Sequence, residues 1–478
     1  MLEKYTYLFP FEKIPQGSKV VIYGAGKVGQ EYLQQILASQ YCIPIAFLDR
    51  NHQNLPPLVI PVYAPQQVKE IAFDYIVIAL QAGYFVKKVV ESLVSYGVEK
   101  ERIIYIPARN AYQILAYYGV RETTEDSLSY CKEGISVALK FGPGLGDAIV
   151  KKRMVAELAR MAPECCIDIY APGINEILQA IYGQEGEMIN RFVDDGGMLF
   201  AQSAQKYHVA IETIFNMINI VSLQTAKIET INPAFADRMD RLQKSWNEYH
   251  INNSLVINRF VHLNRMKYLG LNYYNYLNFT GAFQIDNFKV DIPLQDSKEA
   301  LCHLDEIQGD YVTVNYGSRA DADSKNNAVA KQWPYAYWKN LVTLFKEKYP
   351  MIKMVQLGVR DAARIPGIDY YLLGENLEIV KHILKNSLLH IDIEGGLVHL
   401  ATQLQTKCIV LFGPTQKWFF GYPQNINIQA GACHDCHFLY DGVNVCARGM
   451  KEPECMYSIT PELVMEKVEE HFERIVTK

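Results

Sequence analysis

Several short segments of this sequence set small residues beside groups that move protons or hold anions. Gly142-Pro143-Gly144-Leu145-Gly146-Asp147 follows the apolar run Ile135 to Lys140 and precedes Val150, Met154, Val155, Leu158 and Met161, which recur at helical spacing. A carboxylate at such a strand–turn–helix stands at the C-terminal edge of a parallel sheet, where open α/β folds take ligands. Asp147 suits a general base on an acceptor hydroxyl there, and equally an aspartate capping the helix's free N–H groups.

Asn315-Tyr316-Gly317-Ser318 ends another apolar run and offers Asn315 and Ser318 at the same kind of edge. Lys331-Gln332-Trp333-Pro334 follows. Lys331 is either a point charge for a diphosphate or a solvated side chain beside a packed tryptophan. In Asp392-Ile393-Glu394-Gly395-Gly396-Leu397-Val398-His399 a strand end meets a helix start. Backbone amides of Gly395 and Gly396, aided by the helix dipole, face an anion there. His399, one turn in, reaches the same phosphate, although a lone histidine is more often structural. Thr415 follows Gly413-Pro414 on a further small-residue turn.

Two other patterns stand apart. Gly24, Gly26 and Gly29 follow the run Lys19 to Tyr23, and Asp49 ends the next strand-like run. These residues suit a dinucleotide, with pyrophosphate at the glycines and Asp49 on a ribose hydroxyl, or else tight strand-to-helix packing with no ligand. Cys433, Cys436, Cys446 and Cys455 are separated by two, nine and eight residues. Four thiolates so spaced suit a structural zinc or iron, and free or paired cysteines are the alternative.

These residues need parallel sheets to position them. Strand-like runs alternate with helical ones in three blocks, giving an α/β architecture: 1–112, a Rossmann-like unit; 130–290, a first lobe; and 305–478, a second lobe carrying the cysteines. The stretch 230 to 290, rich in Asn and aromatics, yields no element assignment. The last helix is read from Pro461 to Ile475.

The bulk composition excludes some classes. Of 478 residues, 49% are hydrophobic and 21% charged, so the chain is globular and large enough for several cores. A net charge of −5 gives no footprint for nucleic acid. No apolar run is long enough to span a membrane and the N-terminus lacks a secretory apolar core, so a cytoplasmic location is expected. Ten cysteines in a chain of this length do not suggest a disulfide scaffold.

In this order the motifs make residues 130 to 478 resemble glycosyltransferase family 9, the heptosyltransferase-like GT-B enzymes. Gly144 to Asp147, Lys331 to Pro334, Glu394 to Leu400, Leu411 to Thr415 and the closing Cys455-Met456 and Ile459 to Glu462 carry the resemblance. It implies a pair of Rossmann-like lobes, with the helix from Pro461 to Ile475 packing back across them, here preceded by a third Rossmann-like domain that resembles accessory domains of sugar-modifying enzymes. It also implies inverting transfer from a nucleotide-diphosphate sugar without a cofactor for the chemistry: Asp147 as base, Lys331 on donor phosphates. The family's Asp-Thr-Gly is Glu394-Gly395-Gly396 here, leaving Glu394 as partner of donor hydroxyls and weakening the case for ADP-heptose as donor. The cysteine cluster is similar to the iron-binding finger of protein heptosyltransferases. The acceptor is a glycan, lipid-linked glycan or protein, with peripheral membrane contact left open and the oligomeric state unassigned. Two alternatives stand beside this reading: a catalytically inactive nucleotide-sugar-binding scaffold or sensor, and an NAD-dependent oxidoreductase centred on Gly24 to Gly29.

Overall fold

The computed structural model describes the chain except residues 1–6, 8, 56, 81–85, 106–133, 143, 174, 184–187, 196–197, 215–216, 249–255, 318–329, 430, 438–445 and 477–478. The chain forms two compact units, 1–129 with 195–204, and 130–194 with 205–478. Among the described residues no helix is long and apolar enough to cross a membrane.

The first unit holds β1 (Lys19–Tyr23), β2 (Ile43–Leu48), β3 (Val62–Tyr63), β4 (Tyr75–Ile78) and β5 (Ile103–Ile104), with α1 (Lys27–Ser39) and α2 (Val86–Ser95). The order is β3-β2-β1-β4-β5 with every neighbour parallel. Successive residues of a strand face opposite ways. Val20 and Ile22 therefore join the core formed with Val28, Leu33 and Ile36 of α1. Val21 and Tyr23 join Val89 and Leu93 of α2 on the other face. Burial on both faces is why β1 reads as one apolar run.

The second unit has two sheets. One contains β6 (Ile135–Lys140), β7 (Cys165–Ala171), β8 (Ile189–Asp194), β9 (Val209–Ile214) and β10 (Met217–Leu223), in the order β10-β9-β6-β7-β8. Only the β9–β10 pair is antiparallel. Helix α3 (Leu145–Met161) follows β6 and α4 (Asn175–Tyr182) follows β7. Two helices, α5 (Pro233–Glu248) and α6 (Val256–Tyr268), occupy much of the stretch without a sequence assignment. They are held by Trp246, fully buried against the rings of His262 and Phe279.

The other sheet holds β11 (Tyr311–Asn315), β12 (Lys353–Gly358), β13 (Tyr370–Leu373), β14 (His390–Ile393), β15 (Cys408–Phe412) and β16 (Ile426–Gln429). All its strands are parallel, in the order β13-β12-β11-β14-β15-β16. Helices α7 (Lys298–Ile307), α8 (Tyr335–Lys348), α9 (Leu377–Lys385), α10 (Gly396–Gln403) and α11 (Pro461–Val476) cover it. Instead of crossing the lobes, α11 buries Val464, Met465, Val468 and Phe472 in this sheet's own core, with Phe472 against Tyr349 of the α8 end.

In each of the second unit's two sheets the chain reverses its direction of winding at one place, and there the carboxyl ends of two neighbouring strands leave a crevice. These places lie between β6 and β9 and between β11 and β14. The Asp147 turn leaves β6, and the Glu394 turn leaves β14.

Candidate active site

Both turns open helices whose first N–H groups have no side-chain cap. Gly144 is the N-cap of α3 and Gly395 that of α10, and among the described residues neither end shows a capping hydrogen bond from a side chain. Asp147 therefore does not cap its helix. Its Oδ1 accepts instead from the hydroxyl of Tyr273, while Oδ2 lies over the glycine turn, 3.1 Å from where a Cβ on Gly144 would stand.

The two helix starts abut. A Cβ built on Gly396 would lie 3.0 Å from Leu145 Cβ and 3.3 Å from Gly146 N. Like helix poles brought together favour negative charge between them, and each brings a carboxylate: Asp147 in the first turn of α3, Glu394 just before α10.

Glu394 is enclosed by cations. Lys331 Nζ donates to its backbone O at 3.2 Å and stands 3.5 Å from Oε2. His399 Nε2 is 3.8 Å from Oε1, an ion-pair distance rather than a hydrogen bond. Burial opposes ionisation of Glu394, but Lys331, His399 and the charge of His437 outweigh it and hold the carboxyl down at about 2. His399 is itself buried and oriented from behind. Gln403 Nε2 donates to the Tyr422 hydroxyl at 3.2 Å, and that hydroxyl meets His399 Nδ1 at 3.0 Å. The Tyr274 hydroxyl, 3.3 Å from Nδ1, donates to Phe420 O. These contacts on Nδ1 leave Nε2 facing Glu394.

Other predicted residues take supporting positions. Asn315 Nδ2 donates to Asp392 Oδ2 at 3.0 Å and its Oδ1 accepts from Gly317 N, so it braces the ends of β11 and β14. Asp392 is fully buried, and burial pushes its carboxyl up, partly offset by His390 and Asn315. The Thr415 hydroxyl is buried with no hydrogen-bond partner among the described residues, in a loop on which residues 435–437 fold through Asp435 N to Gly413 O and His437 N to Pro414 O. Ser318 lies outside the described residues.

Sequence reading missed Tyr273, Tyr274 and Tyr422. One local signal was present in Asn272-Tyr273-Tyr274-Asn275: both asparagine side chains accept from nearby backbone N–H groups, fixing a tight loop.

A cavity of about 870 Å³ opens between α4 and α9, lined among others by Glu176, Gln179, Asp296, Glu375 and Asn376. None of the predicted site residues lines it. Beside it Lys381, fully buried, donates to Ala180 O at 2.7 Å, Pro293 O at 2.5 Å and Glu378 Oε1 at 2.5 Å.

Residues 284–436, which carry Lys331, the Gly395-Gly396 turn, His399 and Thr415, match the family model of glycosyltransferase family 9 (heptosyltransferase). The chain thus carries a glycosyltransferase family 9 (heptosyltransferase) region, preceded by a further N-terminal domain. Residues 16–104 match a separate model, described as C2185-like, N-terminal. No curated protein matches the sequence. Among solved structures the chain is similar to ADP-heptose lps heptosyltransferase II of E. coli, at 14% identity, covering 71% of this chain and 99% of that one with a TM-score of 0.42. It is similar to the family 9 glycosyl transferase of Veillonella parvula at 14%, covering 71% and 98%, TM-score 0.44. It is also similar to the iron-containing dodecameric glycosyltransferase TibC of enterotoxigenic E. coli at 11%, covering 75% and 81%, TM-score 0.46.

The four clustered cysteines are free thiols, Cys446 and Cys455 buried, Cys433 and Cys436 half-buried. Burial, reinforced by the charges of Cys433, Cys436 and Cys446, pushes Cys455 up to about 12, so the four thiols feel one another. They do not converge: among the described residues no group of three or more His, Cys, Asp or Glu is placed to hold a metal ion.

In the extra domain Gly26 has open space where a side chain would be, whereas a Cβ on Gly29 would strike Gly24 O at 1.9 Å. Asp49 spends Oδ2 on Ala25 N and Oδ1 on Asn51 N, both at 2.8 Å. Two of the four predicted residues, Gly29 and Asp49, thus hold the turn's own shape.

Proposed function

We propose that this glycosyltransferase moves a sugar, with inversion, from a nucleotide-diphosphate sugar to a hydroxyl of a glycan, lipid-linked glycan or protein. The N–H groups at the start of α10, Lys331 and the Nε2–H of His399 hold the diphosphate as negative charge develops on it. Asp147 takes the proton of the attacking hydroxyl. Glu394, ionised and facing the same space, accepts from donor hydroxyls. The observation that carries this reading is the abutment of the two uncapped helix starts, which brings base and anion-binding turn together. Wild-type protein is offered a panel of ADP-, UDP-, GDP- and dTDP-sugars, and release of nucleoside diphosphate is followed. Asp147→Asn should bind the active donor as wild type does and turn it over at least about a hundredfold more slowly. No release from any member, or undiminished release by the variant, would defeat the proposal.

A structural zinc or iron on Cys433, Cys436, Cys446 and Cys455 is proposed separately. The four thiols supply the ligand number and type such a site takes; what they lack here is convergence. Elemental analysis of protein purified without chelators should find about one metal per chain, and its absence removes the site. No step of the transfer runs through it.

A further inference from the structure

We infer that Tyr273 is the positioning residue of the Asp147 carboxylate, anchoring one oxygen so that the other meets the acceptor. This rests on the reading of Asp147 as base.

The phenol is fixed from every side. It is 4% exposed, and its ring lies 5.1 Å from that of Phe420 and 5.7 Å from that of Phe419. Its backbone N donates to Phe419 O at 3.0 Å, and the Lys151 ammonium stands over the ring at 5.4 Å. A hydroxyl so packed cannot swing away without dismantling its surroundings, which makes it a pre-organised donor. It stays protonated: burial, then the neighbouring Asp147 charge, pushes its ionisation well above the ordinary tyrosine range.

The two oxygens of Asp147 therefore differ. Oδ1 is held by Tyr273, while Oδ2 faces the turn of Gly142 and Gly144, 3.7 and 3.1 Å from where their Cβ atoms would be. In the transfer, the acceptor oxygen forms its bond to the anomeric carbon as its proton passes to Oδ2. The bond from that carbon to the diphosphate oxygen breaks, and its electron pair leaves with the nucleoside diphosphate. Tyr273 keeps its proton throughout. A base held by a third group is the logic of hydrolytic triads.

Tyr273→Phe removes the hydroxyl and keeps the ring. Because orientation of a base cannot contribute more than the base itself, kcat for nucleoside-diphosphate release should fall roughly ten- to a hundredfold. Donor KM should stay within about twofold and the unfolding midpoint within a few degrees. In the Asp147→Asn background the same change should cost nothing further, as expected of two residues acting as a unit. Wild-type kcat in Tyr273→Phe, with Asp147→Asn inactive, would overturn this inference and leave the base in place. Normal turnover by Asp147→Asn would remove the base and the inference together.

Discussion

Gly146 stands so close to His399 that a Cβ built on it would lie 2.6 Å from Cδ2 and 3.2 Å from Nε2. The residue beside the proposed base is therefore in contact with the proposed phosphate-binding imidazole, across two sheets. Alanine fits the helical backbone at this position and favours it. The clash with the buried ring outweighs that preference, so Gly146→Ala should lower the unfolding midpoint by a few degrees. By displacing His399 it should lower kcat/KM for the donor by about a hundredfold, the scale of a 1 Å misplacement. A crystal structure with an unmoved His399 and full activity would contradict this.

Lys331 holds the turn at Glu394 as a point charge. Lys331→Met keeps the aliphatic stem and removes the ammonium. Donor affinity, read by isothermal titration, should weaken about tenfold or more, the size of a lost charge-assisted hydrogen bond. Lys331→Arg should recover part of it. Equal affinity in the Met variant would place the diphosphate elsewhere.

The Glu394 carboxyl sits at about 2, against 4.5 ordinarily. A depressed carboxyl contributes stability that is present above its ordinary value and is lost as pH falls toward the folded one. The difference corresponds to roughly 3 kcal/mol. Urea midpoints should thus fall between about pH 4.5 and pH 2 in the wild type, and less steeply in Glu394→Gln. Parallel profiles for the two proteins would show that the carboxyl is not held down.

Trp246 is fully buried among His262, Tyr276 and Phe279, next to the loop that carries Tyr273. Truncation to Ala empties a large site and should cost about 3–5 kcal/mol in denaturant unfolding. A loss below about 1 kcal/mol would mean that α5 and α6 are packed otherwise.

What could be read in the sequence follows from burial. Runs such as Cys408 to Phe412 lie in a sheet covered on both faces, so every residue is apolar and the strand stands out. The glycine turns were legible because they sit where strands end. β9 and β10 were not, since an edge hairpin leaves Asn219 and Ile220 only partly covered and blurs the pattern. Tyr273 and Tyr274 could not be paired with Asp147 and His399, because these partners lie 126 and 125 residues away and no periodicity links them. The cysteine spacing suggested a shared centre, yet spacing alone does not aim the sulfurs at one point.

Lys381 ties a backbone carbonyl of α4, one of the segment leading to α7, and Glu378 of its own helix into a single knot. One nitrogen thus joins three separate stretches of the chain, and losing it would leave three acceptors without a donor at once.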